Sequence, residues 1–267
     1  MGDYVHGYTD RENERLRDQA DAVRELIHGG TSYPPGSLVL EAGCGIGAQT
    51  GILLQRSPGA RFIAVDQSAD SLDQAGEHVR ELGLTGVEFK IADIHALPFD
   101  DYYFDHVFVC FLLEHLIDPG GGLLELKRVL KPGGTITVIE GDHGSCHFHP
   151  ETDASKRAWH SLIRVQASLG GDSLIGRRLH PLLRKAGYAD VRVSPRIVAV
   201  DSENSGLMDA FVGKTIIPMV EGVKEKALRM GVIDGATWKR GIEDLRTIET
   251  CGEGVFYYTF YKAWGVC

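Results

Sequence analysis

The stretch Leu38-Val-Leu-Glu-Ala-Gly-Cys-Gly-Ile-Gly47 constrains the fold more than any other part of the chain. A short apolar run leads into three glycines at alternate positions, and a helical segment at 50–56 follows, stopped by Ser57-Pro58-Gly59. Glycines at such a junction let the backbone turn sharply and let a ligand approach the N–H groups that open the helix. The same alternation then repeats. Apolar runs at 62–65, 87–91, 106–111, 135–140, 191–200 and 255–264 are separated by helical patterns at 71–82, 123–130, 153–169 and 176–186. Continuous apolar strands spaced by helices predict an α/β fold, a doubly wound, mostly parallel seven-stranded sheet with helices on both faces.

Two segments lie outside that alternation. Thr9 and Glu12 form a capping box, Leu16, Ala20, Val23 and Ile27 follow at helical spacing, and Gly29-Gly30 end the helix. Residues 1–30 therefore read as an N-terminal helical lid, with Tyr4, His6, Gly7 and Tyr8 on a hinge-like peptide ahead of the helix. The core is assigned to 31–200 and 254–267. Between its last two strands, residues 201–253 carry helical patterns at 207–230 and 237–250, too long for a simple connection. They read as a helical insertion within the same domain, forming a cap over a ligand or a dimer surface. Phe211, Ile216, Ile217, Met219 and Val220 are more apolar there than an exposed helix needs, and Pro218 implies a kink or break.

Charge narrows the choice of partner. Lys+Arg number 28 against 37 Asp+Glu, a net charge of −9, the wrong sign for a chain that binds nucleic acid or anionic lipid through bulk electrostatics. No apolar run approaches the length needed to span a bilayer and the first residues are polar, so a cytoplasmic protein with no membrane partner is expected. The five cysteines, Cys44, Cys110, Cys146, Cys251 and Cys267, include no C-x-x-C pair, which points to reduced thiols and to no metal site built on them.

Three acids close three successive predicted strands: Glu41, Asp66 and Asp93. Ligands of open α/β sheets bind in the crevice at those strand ends, where a carboxylate can accept hydrogen bonds from both hydroxyls of a ribose. The glycine spacing differs from the dinucleotide fingerprint G-x-G-x-x-G. At these residues the sequence resembles the class I S-adenosylmethionine-dependent methyltransferases, in particular the small-molecule group similar to the quinone-biosynthesis methyltransferases. The motifs are Glu41-x-Gly43-x-Gly45-x-Gly47, Asp66, Ala92-Asp93, Leu97-Pro98-Phe99 with Phe104-Asp105-His106-Val107, Leu113-Glu114-His115-Leu116, and the run from Leu126 to Gly134. They cover residues 38–140.

The resemblance implies S-adenosylmethionine as cofactor, with roles for particular residues. Glu41, Gly43, Cys44, Gly45 and Gly47 would hold its methionine part, Asp66 and Gln67 its ribose, and Ala92, Asp93 and Ile94 its adenine. Cys110 and Phe111, closing the fourth strand, would flank the sulfonium and its methyl group, and Tyr8 would cover the cofactor from the lid.

Methyl transfer requires alignment and exclusion of water, plus a base where the acceptor must lose a proton. Candidates for that role follow the fifth strand in Glu140-Gly-Asp142-His143-Gly-Ser-Cys146-His147-Phe-His149, read as a polar loop. His143 is the first choice, as base or orienting group, with Glu140 as a second catalytic candidate and Asp142 as a further partner for the ring. The H-x-x-C-H-x-H spacing matches no metal-ligand pattern. In place of the Asn/Asp-Pro-Pro-aromatic motif of family members that methylate base amines stands Cys110-Phe-Leu-Leu, so a small-molecule acceptor is expected and nucleic acid is not. A monomer or homodimer fits the chain. Two other readings share the fold: a nicotinamide-dependent oxidoreductase, disfavoured by the glycine spacing and by a Tyr-x-x-x-Lys pair expected to be absent, and a non-catalytic cofactor-binding protein.

Overall fold

The structure, a computed structural model, describes residues 10–267. Seven strands form one sheet: β1 (Leu38–Ala42), β2 (Arg61–Asp66), β3 (Val87–Ile91), β4 (Phe104–Cys110), β5 (Leu130–His149), β6 (Ala189–Asp201) and β7 (Val255–Val266). Their order is β3-β2-β1-β4-β5-β7-β6. The first five run parallel, and β7 is antiparallel to both β5 and β6. The order reverses between β1 and β4, which opens a crevice at their carboxyl ends.

Side chains alternate across the central strands. Leu40, Ala42, Val107, Val109, Ile136 and Val138 face one layer, closed by α5 (Pro119–Val129) and α7 (Leu179–Lys185). Val39, Phe62, Phe108, Cys110 and Ile139 face the other, which holds Val23 and Ile27 near the N-terminus, Trp159 and Leu162 of α6 (Asp153–Ser168), and the segment between β6 and β7. Both faces are thus buried, as the continuous apolar strands require. The remaining helices introduced here are α1 (Asp10–Ala22), α2 (Arg24–His28), α3 (Thr50–Arg56) and α4 (Ala69–Glu81). Residues 1–9, including the expected lid peptide and Tyr8, lie outside the described residues.

Two expectations change. The polar loop expected after Glu140 is strand, because β5 continues to His149 and pairs with β7. Its register slips between Asp142 and His147, so that five steps along β5 match two along β7, from Thr259 to Tyr257. The helix expected at 207–230 is broken into a π-helical run (Met208–Ile216), a turn of α-helix (Ile217–Glu221) with Pro218 in its first turn, and Lys224–Arg229. Phe211, Ile216, Ile217, Met219 and Val220 are all buried within the chain.

Candidate active site

The glycine loop folds as a tight arc because Gly43, Gly45 and Gly47 all adopt positive φ. Gly47 has a second constraint: a Cβ there would stand 3.0 Å from Cα and Cβ of Ala75 on α4, so only glycine lets α4 close on the loop. Asp66 ties the loop to the end of β2, accepting the N–H of Gly45 at 2.9 Å and that of Ser68 at 3.0 Å. Gln67, beside it, is exposed. The half-buried Ala92 donates its N–H to the Asp66 carbonyl.

Glu41 is buried in the adjoining strand end and accepts the Thr50 hydroxyl at 2.7 Å. Burial disfavours its charge and pushes its carboxyl up to about 8, with the neighbouring Asp66 carboxylate adding to the rise and Thr50 opposing it. Neither Glu41 nor Asp66 has an ion-pair partner among the described residues. An acidic pair left without a counter-charge at the mouth of a glycine loop fits a cationic ligand. Asp93 is exposed and turns inward to its own loop, accepting the His95 N–H at 2.9 Å, which holds its carboxyl below the usual range. Ile94, next in the chain, is buried. Cys44 and Cys110 are buried with their thiols pushed up by burial, so both are packing groups rather than nucleophiles. Phe111 follows Cys110 at φ 54, an uncommon conformation that turns its ring out of β4 against Phe260, 5.3 Å between centroids.

Phe111 also opens the second compartment, a cavity of about 530 Å³ including its mouth. Its polar lining includes Arg15 of α1, Glu114, His115, His143 and Tyr258, and its apolar wall includes Phe211, Ile216, Met219 and Phe260. The register slip in β5 turns His143 toward β7, where its Nδ1 lies 2.7 Å from the Tyr258 hydroxyl. The backbone of His143 is fixed as well: its N–H donates to the Ser173 carbonyl, and its carbonyl accepts the Trp159 indole N–H at 2.9 Å. Burial lowers the pKa of His143. Asp142 does not reach the ring, because both of its oxygens are held by Arg177 at 2.7 Å. Glu140 faces neither the cavity nor His143. Its Oε1 accepts the N–H groups of Leu112 at 3.0 Å and Leu113 at 2.7 Å, clamping the turn after β4, while Oε2 has no partner. Burial raises the Glu140 carboxyl well above the usual range, and Glu114 raises it further. His147 and His149 are exposed. No three metal-binding side chains gather among the described residues.

Residues 40–138 match the methyltransferase-domain family model. Over those residues the chain carries a methyltransferase domain, similar to those of the class I S-adenosylmethionine-dependent methyltransferases. It is 33% identical over 230 residues to an uncharacterized 37.1 kDa protein of transposon Tn4556 from Streptomyces fradiae, covering 85% of this chain and 63% of that protein. With the demethylmenaquinone methyltransferase of Clavibacter sepedonicus it shares 36% identity over 141 residues, 52% of this chain and 56% of that one. The chain thus spans less than two thirds of the length of both. A phosphoethanolamine N-methyltransferase 2 of Haemonchus contortus, solved with S-adenosylhomocysteine, superposes with a TM-score of 0.55 at 17% identity, over 92% of this chain and 52% of that one, a likeness of fold.

In this methyltransferase domain the loop, Glu41, Asp66, Ala92 and Asp93 gather at neighbouring strand ends, and Phe111, next to Cys110, borders the cavity. Three cavity residues escape inspection of the sequence. Tyr258 and Arg15 are joined to His143 only through the tertiary fold, and Glu114 is visible as part of a motif but without a partner until Gln166 of α6 meets it at 3.2 Å. Tyr-x-x-x-Lys spacing does occur at Tyr258 and Lys262, but on strand β7, where four residues separate side chains by about 13 Å. It is therefore no oxidoreductase signature. Among the described residues no helix is long and apolar enough to cross a membrane.

Proposed function

We propose that this chain transfers the methyl group of S-adenosylmethionine to a small-molecule acceptor bound in the cavity beside β4, β5 and β7. The observation that carries the reading is the uncompensated pair Glu41 and Asp66 around the glycine loop, which suits a cofactor bearing ammonium and sulfonium charges. When bound, that cofactor supplies an electrophilic methyl on a positively charged sulfur. Glu41 and the glycine loop would hold its methionine part, Asp66 and Gln67 its ribose, and Ala92, Asp93 and Ile94 its adenine.

Phe111 separates the crevice from the cavity and would set the line along which donor and acceptor meet, the main requirement of an in-line displacement. The insertion, residues 201–253, supplies Phe211, Thr215, Ile216 and Met219 to the cavity wall and would exclude water from the acceptor. His143 is the side chain that would meet the reacting end of the acceptor. Glu140 would act one layer back, holding the turn that carries Glu114 and His115. The net charge of −9 supports a small molecule rather than nucleic acid.

Native mass spectrometry of the purified chain tests the reading. Co-purified or added S-adenosylmethionine, or its demethylated product, should appear as a bound mass. A bound dinucleotide in its place would transfer the chain to the oxidoreductase reading.

A further inference from the structure

The contact between His143 and Tyr258 decides which ring nitrogen faces the acceptor. The Tyr258 hydroxyl is buried, and His143 Nδ1 is its hydrogen-bond partner among the described residues, at 2.7 Å. Two arrangements share that distance. If Nδ1–H donated to the phenolic oxygen, the phenol proton would be buried without an acceptor, a loss general to orphaned buried donors. If the phenol donates to Nδ1, the stronger acid donates to the stronger base, and the one hydrogen of the pair left without a partner among the described residues is that on the ring of His143. The hydrogen bond at one ring nitrogen sets the proton on the other, so Nε2 then carries hydrogen. His143 forms no other side-chain hydrogen bond among the described residues, and its ring lines the cavity.

We infer that His143 meets the acceptor as a neutral Nε2–H donor held in that tautomer by Tyr258, and that the acceptor is an acidic phenol or enol bound as its oxyanion. This rests on the proposed methyl transfer and names its substrate class. A donor aimed at a neutral amine would occupy the lone pair that must attack, whereas an oxyanion can accept Nε2–H with one lone pair and attack with another. The apolar wall of Phe111, Phe211, Phe260 and Met219 suits the flat body of such a molecule. The charged and titratable neighbours of His143 are Glu114, His115, Asp142 and Arg15. Asp142 is held by Arg177, and Glu114 accepts from Gln166 and lies 3.7 Å from His115, so both carboxylates have donors of their own.

The acceptor gives its proton to solvent on binding. An electron pair of the oxyanion, or of its conjugated carbon, forms the new bond to the methyl carbon while the carbon–sulfur bond breaks. That bonding pair stays on sulfur, which leaves as a neutral thioether. Tyr258 is a positioning residue, because it acts through His143.

Nitrogen-15 NMR of the full chain with labelled histidine, at neutral pH and without acceptor, reads the tautomer directly. His143, assigned by its disappearance in His143→Gln, should show a protonated Nε2 and an unprotonated Nδ1. In Tyr258→Phe the Nδ1 resonance should shift as its donor is lost. A protonated Nδ1 in the wild type overturns the inference. The second arm uses 4-nitrophenol as probe, with S-adenosylhomocysteine present. Bound probe should ionise at a pH at least one unit lower than free probe, read from its visible absorbance, and the shift should shrink in Tyr258→Phe. Probe that binds in its neutral form, or that does not bind, overturns the substrate class. Neither readout uses turnover, so a protein that fails to bind S-adenosylmethionine would sink the methyl-transfer reading and leave the tautomer result standing.

Discussion

The Tyr258 hydroxyl occupies the place where a side chain on Gly141 would stand, so the contact between His143 and Tyr258 depends on the absence of a Cβ one strand away. Gly141→Ala should drive that hydroxyl off His143 and destabilise the chain by about 1–3 kcal/mol, the usual cost of overpacking. The ring carbons of Tyr258 lie farther from the same point, at 3.4 and 3.6 Å. Tyr258→Phe in the Gly141→Ala background should therefore recover part of the loss, and urea unfolding of both single variants and the double variant should show that coupling. Additive losses would place the strain elsewhere.

Arg177 and Asp142 make a second test of the β5 bulge. Asp142 is 1% exposed, with both oxygens held by the guanidinium and one also accepting the Gly144 N–H. Arg177→Met leaves a buried carboxylate short of donors and should cost about 2–4 kcal/mol. Adding Asp142→Asn removes the stranded charge and should restore part of that stability, measured as the denaturant midpoint.

Glu41 should make cofactor binding depend on pH. Its carboxyl sits at about 8 in the free chain, so below that pH a cationic ligand must displace a proton. Affinity for S-adenosylmethionine should fall as the pH is lowered from about 8, by up to about tenfold per unit, and level off above it. Glu41→Gln should flatten the profile. The sign for stability follows from the same shift. Because the folded value lies above the ordinary 4.5, the contribution of Glu41 is fully present below about 4.5 and is lost as the pH rises toward 8. Glu41→Gln should therefore help the free chain more at pH 8 than at pH 5, read from denaturant midpoints at both.

Phe211 tests the link between the insertion and the cavity. It is fully buried, packs its ring on Phe256, Tyr258 and Phe260, and lines the cavity. Phe211→Ala should cost about 3–5 kcal/mol in thermal or denaturant unfolding. Phe211→Leu, closer in volume, should cost less and leave S-adenosylmethionine affinity within a factor of a few, since the cofactor crevice lies on the other side of Phe111.

The parallel half of the sheet and the acids that close its strands are legible because both signals are local. An apolar run, a glycine turn and a helix follow one another within thirty residues, and Glu41, Asp66 and Asp93 each sit at the end of such a run. The acceptor side is not local. The extension of β5 to His149 is invisible until β7 pairs with it, more than a hundred residues later, and a run of Asp, His, Gly and Ser reads as loop without that partner. In sequence Asp142 reads as a partner for the His143 ring, yet Arg177 holds it and Tyr258 takes the ring. The insertion is similar: counting along the chain marks five residues as too apolar for an exposed helix, and only the fold shows that they are buried, three of them in the cavity wall.

The central claim is that the glycine loop and the acids beside it bind S-adenosylmethionine, and calorimetric titration of the full chain with that cofactor tests it most directly. Asp66 accepts the Gly45 and Ser68 N–H groups and would also receive the ribose hydroxyls. Its replacement should cost about 1–3 kcal/mol of binding. Saturable one-site binding by the wild type, at least severalfold weaker in Asp66→Ala and unaffected by added NAD, is the expected result. No binding by the wild type, equal affinity in Asp66→Ala, or displacement by NAD would contradict the assignment.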